Sequence, residues 1–335
     1  MSTISYHYYS KNLINLNEKP NNHILTLEEF SSNDITSILD LADLLKNEKK
    51  NGIRKKLLDG KSLALILQSP STRTRVSFEV GMAELGGNTI TLDKGFLQKI
   101  GDKTFEVRGE TIEDTSRVLS SYVDIIGTRF SNHTDLIRFA NFSSVPVINC
   151  QSDLYHPCQT LADLQTLREE KKTLKGLNLS WIGDGTNVCN SLLIGCSKMG
   201  ININLSIPEK YRQLDSVFNT ALEFAQESGS QISFFDDPIE SVKNADAIFT
   251  DTFVSVGLEH EREKRLCDFI PKYQVNQNLF HHSKNDTIFL HCLPAHRGEE
   301  VTDEIIDGPH SRVWNEAENR LHVQKALLCH SLLND

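Results

Sequence analysis

Residues 61–88, "KSLALILQSPSTRTRVSFEVGMAELGGN", decide the fold class, because they run from an apolar strand through a short polar loop into a helix. The apolar run at residues 62–67 has the length of a buried strand, and Gly86 and Gly87 close the helix that follows. The same order of strand, turn and helix returns along the chain. Strands that alternate with helices predict parallel sheets covered by helices on both faces, and therefore an α/β protein.

The length of 335 residues predicts two domains of ordinary size. Further strands are predicted at "NTITLD", "DIIGTRF", "VPVINC", "LNLSWIG", "ININLSIP", "ADAIFTD" and "TIFLHC". A long helix, "HPCQTLADLQTLREEKK", has a charged end near residue 172, which is the best candidate for a boundary. We therefore expect a first domain at 1–155, a connecting helix at 156–171, a second domain at 172–316 and a closing helix at 317–333.

Composition and charge narrow the class of protein. The chain is 39% hydrophobic and 24% charged, as in ordinary globular proteins, and its net charge of −10 argues against a nucleic-acid or anionic-membrane surface. No apolar run has the length of a transmembrane helix, and the first residues lack a signal core. The seven cysteines form no C-x-x-C pair. We read them as reduced thiols and expect a cytoplasmic protein.

The loop "SPSTRTRVSFE", residues 69–79, concentrates hydroxyls and arginines between a strand and a helix start. Backbone N–H groups and the helix dipole favour an anion at such a place. Ser71, Thr72 and Thr74 add hydroxyl donors, and Arg73 adds a planar fork suited to phosphate. A lone Ser-Thr-Arg would be read as a helix cap with solvated arginines, but the strand and helix around it favour a phosphate site. No G-x-x-x-x-G-K-[ST] is present, so a nucleotide is not implied.

Two other strand ends carry weaker signals. "HPCQ" puts His156 and Gln159 three residues apart at a helix start, where they share a face, although a histidine there is usually only a core or surface residue. "WIGDGTNV" offers Gly183 and Gly185 to a dinucleotide pattern, but Val188 stands at the third glycine. NAD binding is therefore a minor alternative.

The segments "FTDTFVSVG" and "FLHCLPAHRG" end strands with polar residues, and each could be an ordinary polar loop. His291, Cys292 and His296 have a spacing that matches no common zinc pattern. We expect neither a metal nor another cofactor.

Taken together, "STRTR" followed by "SFE", and "HPCQTLADL", resemble the carbamoyl-phosphate signature of the aspartate and ornithine carbamoyltransferases. "DTFVSVG", "HCLPAHRGEEVTDEI", "WIGDGTNV" and "EAENRLHVQKALL" resemble the ornithine branch. The likeness covers about residues 24–333. It implies two α/β domains, the first for carbamoyl phosphate and the second for ornithine, with the last helix returning to the first domain. It also implies a trimer or a multiple of trimers, with active sites at subunit interfaces.

The resemblance also assigns site residues by motif match. It implies that carbamoyl phosphate is bound by Ser71, Thr72, Arg73, Thr74, Gln98, Arg129, His156, Gln159, Cys292, Leu293 and Arg320. It implies that ornithine is held by Asn187, Asp251, Ser255 and Val256. Catalysis would fall to Arg129, His156, Asp251, Cys292 and Arg320. The chain departs from the pattern at Val256, where the family usually has methionine, and in a longer segment at residues 99–107.

The implied reaction is attack of the ornithine δ-amine on the carbamoyl carbon, which gives citrulline and phosphate. Phosphate is already a leaving group, so direct transfer suffices and a covalent role for Cys292 is the poorer interpretation. We also expect a cis peptide bond at Leu293–Pro294. A sister enzyme acting on putrescine or N-acylated ornithine, and a non-catalytic binding protein of the same fold, remain alternatives.

Overall fold

A computed structural model of the chain describes residues 23–93, 109–255 and 257–333. Its strands form a four-stranded and a five-stranded sheet, both wholly parallel. Up to the end of the long helix the elements are α1 (Ser32–Lys50), β1 (Ser62–Leu67), α2 (Thr72–Glu84), β2 (Asn88–Asp93), α3 (Ile112–Ser120), β3 (Ile125–Arg129), α4 (His133–Asn141), β4 (Val147–Gln151) and α5 (Pro157–Lys171). After it come β5 (Asn178–Ile182), α6 (Asn187–Met199), β6 (Asn202–Ser206), α7 (Asp215–Ser228), β7 (Ile232–Phe234), α8 (Pro238–Val242), β8 (Ala247–Thr250), α9 (Arg262–Phe269), α10 (Gln277–Phe280), β9 (Ile288–His291), α11 (Asp303–Ile306) and α12 (Val313–Leu333).

The strand orders place the polar loops that follow the strands side by side. The first sheet has the order β2-β1-β3-β4 and the second the order β7-β6-β5-β8-β9. β1 and β3 are neighbours in the first sheet, and β5, β8 and β9 are neighbours in the second. In parallel sheets the carboxyl ends of neighbouring strands meet at one edge, where ligands bind. The polar segments singled out in the sequence follow these strands.

The two sheets share a continuous apolar core that runs through α5 and α6. Gly195 lets these two helices approach closely, since a Cβ there would lie 2.5 Å from the Thr160 methyl carbon. Within the second sheet, Trp181 and Phe249 stack with their ring centroids 5.2 Å apart. This shared core fixes the strand ends of one sheet relative to those of the other.

The closing helix α12 packs against α5, α1 and α2, so the prediction that the last helix returns to the first domain is confirmed. Lys325 Nζ binds Glu84 Oε2 at 2.9 Å, and Asn319 Nδ2 donates to Thr166 Oγ1 at 2.9 Å. The helix begins at Val313, ahead of the predicted start at residue 317. None of the helices in the described ranges is long and apolar enough to cross a membrane.

The predicted α/β class and the strands named in the sequence are confirmed. One strand was missed, β7 at Ile232–Phe234, which has three residues and lies at the edge of the second sheet. All three of its side chains are only half-buried. Its short length and lack of a buried face explain why the apolar pattern did not reveal it.

Candidate active site

The loop after β1 forms one wall of the site. Ser71 is the N-cap of α2, and its Oγ accepts from Thr74 N at 3.4 Å. Thr72 and Arg73 therefore occupy the first turn of α2, whose leading backbone N–H groups have no acceptor within the helix. Arg129, the last residue of β3, donates from Nε to Ser69 Oγ at 2.8 Å. The predicted phosphate loop thus has a second guanidinium tied to it.

Three guanidinium groups, those of Arg73, Arg129 and Arg320, lie close enough to influence one another. Burial, and then Arg320, lower the pKa of Arg129 to about 10. Burial also lowers the pKa of Arg73. Arg320 reaches the same place from α12, where Nη2 donates to Thr74 Oγ1 at 3.4 Å. Clustered cations that lower each other's pKa attract a multiply charged anion.

His156 lies beside this cluster as a neutral imidazole. Burial, and then the charges of Arg320, Arg129 and Arg73, lower the pKa of His156 well below its ordinary range. Its backbone N–H donates to Ser191 Oγ at 2.7 Å, which fixes the residue at the start of α5. Its Nδ1 is buried without a hydrogen-bond partner in the described chain. A neutral imidazole in this place can hydrogen-bond an uncharged carbonyl group.

Gln159 connects α5 to α12, because its Oε1 accepts from Arg320 Nη1 at 2.6 Å. Both side chains are buried, with Gln159 1% and Arg320 3% exposed. Sequence reasoning placed both in the site, and the structure brings them into direct contact.

The second sheet supplies the opposite wall. Cys292, just after β9, donates its thiol to Asp251 Oδ1 at 3.2 Å, and Thr186 Oγ1 donates to Asp251 Oδ2 at 2.9 Å. Burial, and then the charge of Asp251, raise the pKa of Cys292 well above its ordinary value. The sulfur is therefore a protonated thiol and a hydrogen-bond donor rather than a nucleophile.

The two walls meet where Arg73 Nη2 donates to the carbonyl oxygen of Leu293 at 2.5 Å. Leu293 has a positive φ of 58°, and the Leu293–Pro294 peptide bond is cis, which confirms that prediction. A second cis bond, Ile270–Pro271, was not predicted.

The predicted ornithine residues are brought together only in part. Asn187, at the start of α6, donates from Nδ2 to Ser152 O at 2.5 Å, and Asp251 lies against Thr186 in the same loop. No hydrogen bond within the described ranges joins Ser255 to Asp251. Gln98, Val256 and the segment 99–107 lie outside the described residues.

Asp251, His291 and Cys292 have ligand atoms within 4.8 Å of one another, which is the spacing of a metal-binding group. Their donor atoms are already engaged inside the protein. His291 Nδ1 accepts from Leu293 N at 2.9 Å, and its Nε2 faces Glu300 Oε1 at 3.2 Å. Both ring nitrogens of His291 are therefore used to hold the backbone N–H of Leu293 and the carboxyl group of Glu300.

Several residues that support the site were missed in the sequence. Asp163 and Glu316 contact Gln159, each four residues from a predicted site residue on the same helix. Arg265 pairs with Asp184 and donates from Nε to Phe253 O at 2.5 Å, which anchors the loop after β8. Helical spacing could have suggested the first two, whereas nothing in the local sequence connects Arg265 to this loop.

Fold and site together define a class of protein. It is an α/β protein with two sheets, in which an anion-binding pocket lined by arginines faces a carboxylate and a thiol. The aspartate/ornithine carbamoyltransferase family matches this chain in two parts, its carbamoyl-P binding domain over residues 22–169 and its Asp/Orn binding domain over residues 175–331. The chain belongs to the aspartate/ornithine carbamoyltransferase family.

Individual relatives agree with this assignment. The ornithine carbamoyltransferase of Bacillus subtilis is 52% identical over 91% of this chain and 92% of its own. The solved ornithine carbamoyltransferase of Pyrococcus furiosus superposes with a TM-score of 0.89 at 47% identity, covering 94% of this chain and 98% of that one. An acetylornithine transcarbamylase solved with acetylcitrulline superposes with a TM-score of 0.82 at 31% identity, covering 93% and 99%.

Proposed function

We propose that this chain is an ornithine carbamoyltransferase that transfers the carbamoyl group of carbamoyl phosphate to the δ-amine of L-ornithine. A carbon–nitrogen bond forms, the carbon–oxygen bond to phosphate breaks, and the amine loses a proton. The products are L-citrulline and phosphate. The observation that carries the proposal is the Arg73–Leu293 hydrogen bond, because it joins the anion pocket of one sheet to the carboxylate and thiol of the other.

On the anion side, Arg73 would neutralise the leaving phosphate, helped by the hydroxyls of Ser71, Thr72 and Thr74. Arg129, Arg320 and the neutral His156 would stabilise the oxyanion that forms on the carbamoyl oxygen. Preorganised donors and charges of this kind usually supply the largest catalytic term. Gln159 would orient Arg320 and contact the carbamoyl group.

On the amine side, Asp251 would hold the α-ammonium group of ornithine, with Asn187, Ser255 and Val256 completing its pocket. The δ-amine must be neutral to attack. Neutral pH lies about three units below an amine pKa of ~10.4, so removing the proton from the amine costs ~4 kcal/mol. A carboxylate beside the reaction centre assists the loss of that proton. Cys292 and the Leu293 carbonyl would border the reacting carbon.

The test is steady-state citrulline formation from carbamoyl phosphate with L-ornithine, compared with putrescine, N-acetylornithine and aspartate. Ornithine should give the highest kcat/KM. A second candidate substrate, N-acylated ornithine, is favoured by the likeness to the acetylornithine transcarbamylase, but acylation removes the ammonium that Asp251 would pair with. Preference for N-acetylornithine, or no turnover with any amine, would contradict the proposal.

Self-association is a further part of the proposal. Val76 and Val80 lie one turn apart on α2 with exposures of 51% and 38%, and Ile90 on the neighbouring β2 is 58% exposed. β2 ends at Asp93, three residues after Ile90 and five residues before Gln98 in the sequence. We infer a trimer, or a multiple of trimers, in which Gln98 would reach the anion pocket of the next subunit, since contacts of this head-to-tail kind close into rings.

Subunit mixing tests this arrangement. Gln98→Ala and Arg73→Ala subunits, each nearly inactive alone, should regain activity when mixed, because some interfaces then carry both native residues. Sedimentation should show the trimer mass. Failure to regain activity with a confirmed mixed oligomer would mean that Gln98 serves its own subunit.

We infer a carbamoyl-phosphate domain at 1–155 completed by the closing helix, a connecting helix at 156–171 and an ornithine domain at 172–316. A cytoplasmic location is supported by the free state of all seven cysteines.

A further inference from the structure

Two buried carboxyl groups lie behind the anion pocket, outside the residues that would touch substrate. Asp163 is on α5 and Glu316 is on α12, and both are 0% exposed. The single amide nitrogen of Gln159 donates to both, to Asp163 Oδ1 at 2.8 Å and to Glu316 Oε1 at 2.8 Å. Two buried carboxylates at one nitrogen are costly unless their charge is reduced.

The pair reduces its charge by sharing one proton. Asp163 Oδ1 and Glu316 Oε1 both lie 2.8 Å from the same Gln159 nitrogen, so the two buried carboxyl groups are close neighbours, and neighbouring carboxyl groups shielded from water cannot both be ionised at low cost. Burial, and then the charge of Asp163, raise the pKa of Glu316 well above its ordinary range. One proton thus leaves the pair with a single negative charge.

The pair determines the orientation of Gln159. The Gln159 amide can point either its oxygen or its nitrogen towards Arg320. If the nitrogen faced the guanidinium, two hydrogen-bond donors would meet and no hydrogen bond could form. Because Asp163 and Glu316 both accept from Nε2, Oε1 must face Arg320 Nη1, as the 2.6 Å contact shows. With its amide turned so that the oxygen faces Arg320, which is the orientation that satisfies both of its amide atoms, Gln324 accepts from Nε at 3.2 Å and from Nη2 at 3.1 Å.

Glu316 also reaches the opposite wall of the site. Its Oε2 accepts from the backbone N–H of His291 at 2.9 Å. His291 is the last residue of β9 and directly precedes Cys292 and Leu293. One carboxyl group therefore contacts both the residue that orients Arg320 and the strand that presents the Leu293 carbonyl.

We propose that Asp163 and Glu316 form a proton-sharing pair that positions Gln159, Arg320 and the end of β9 for the transfer reaction. The proposal rests on the proposed function, and it makes both carboxyl groups positioning residues rather than catalytic ones. The charged groups that face the pair are Arg320 and, beyond it, Arg73 as cations, with Asp251 as the other anion. The protonated thiols of Cys196 and Cys292 complete its surroundings.

The pair makes an asymmetric prediction for two nearly isosteric substitutions. In Asp163→Asn, the amide oxygen can accept from Gln159 while the amide N–H replaces the shared proton towards Glu316. In Glu316→Gln, both oxygen positions already accept from N–H groups, those of Gln159 and His291. The new NH2 group must therefore point at the N–H group of Gln159 or of His291. Two buried donors then face each other and neither has an acceptor, which is unfavourable.

The experiment measures kcat and kcat/KM for carbamoyl phosphate at saturating ornithine, together with the melting temperature of each variant. Asp163→Asn should stay within about threefold of wild type, whereas Asp163→Ala and Glu316→Gln should lose ~10²-fold, the usual effect of misplacing catalytic groups by about 1 Å. Thr160→Val is the matched control, since its hydroxyl is buried on α5 without a hydrogen-bond partner among the described residues. It should change neither quantity.

The comparison of the two amides separates positioning from packing. If the carboxyl groups only filled space, Asp163→Asn and Glu316→Gln would be affected equally, and equal kinetics in folded variants would overturn the proposal. It would also be overturned if Asp163→Ala matched Asp163→Asn. A wild-type enzyme that makes no citrulline would instead refute the proposed function and, with it, this inference.

Discussion

Replacing Arg73 with alanine removes a cation that joins the two walls of the site. Arg73 lies in the first turn of α2 and donates to the Leu293 carbonyl across the cleft. Loss of a preorganised charge stabiliser typically lowers the rate by ~10²–10³, or about 2.7–4 kcal/mol of transition-state stabilisation. We expect kcat/KM for carbamoyl phosphate to fall by at least that factor.

The fold should tolerate this substitution. Arg73 is only half-buried, so the lost hydrogen bond should cost at most about 1.5 kcal/mol, the low end for a bond to a charged group. Melting temperature and circular dichroism would confirm that the variant is folded. The assay is citrulline formation with carbamoyl phosphate varied at saturating ornithine.

Arg75, two residues further on, is the matched control. It is exposed and pairs with Glu79 at 3.0 Å and Asp93 at 3.5 Å, contacts that contribute about 0–1 kcal/mol at a surface. Arg75→Ala should therefore keep near-normal kinetics. Near-normal kinetics for Arg73→Ala, or an equal loss in both variants, would refute the assignment of Arg73 to the phosphate.

Three further outcomes follow from the charges of the site and the core. Activity at subsaturating ornithine should rise from about pH 6.5 to 8.5 as the neutral amine fraction grows, and a flat profile would mean that the protein itself sets the amine's protonation. Iodoacetamide at pH 7.5 should label Cys267, the exposed cysteine, before Cys292, whose pKa is raised by burial; mass spectrometry that finds Cys292 first would contradict this. Burial, and then the charge of Lys325, lower the pKa of His322 from 6.5 to about 3. Below pH ~6.5 the imidazole is therefore protonated in the unfolded chain but still neutral in the folded one, which lowers the stability of the folded state as the pH falls. The melting temperature of His322→Leu relative to wild type should therefore rise as the pH falls from about 6.5 towards 4, and a constant difference would count against it.

Much of the fold could be predicted from the sequence because most of its strands are short, buried and separated by helices with a clear apolar spacing. Apart from one polar terminal residue each, Ser62 and His291, "SLALIL" and "IFLH" are apolar, as is typical of strands in a covered parallel sheet, and both are observed. β7 was missed because a half-buried three-residue edge strand has no such pattern. Residues that follow strands could be assigned to one edge of the sheet, because the carboxyl ends of parallel strands all lie at that edge.

The sequence could not predict the protonation state of the site side chains, because it depends on which of them the fold brings together. His156 looks like any histidine at a helix start, and it is a neutral hydrogen-bonding group only because Arg73, Arg129 and Arg320 converge on it from three separate elements. Their convergence depends on α12 returning to α5 and α2, a contact between segments more than 150 residues apart.

The Asp163–Glu316 pair shows what helical spacing alone leaves undecided. All of α5 from Pro157 to Leu167 is buried, so the helix has no polar face to mark the side that faces the site. Asp163 is one of several polar residues along it, and what distinguishes it is the Gln159 nitrogen that it shares with Glu316 from a distant helix. Spacing along one helix can nominate a carboxylate, but whether that carboxylate is charged, paired or protonated is decided by the helix packed against it. For that reason the protonation of this pair is best tested by the two amide substitutions, which differ only in where an N–H group is placed.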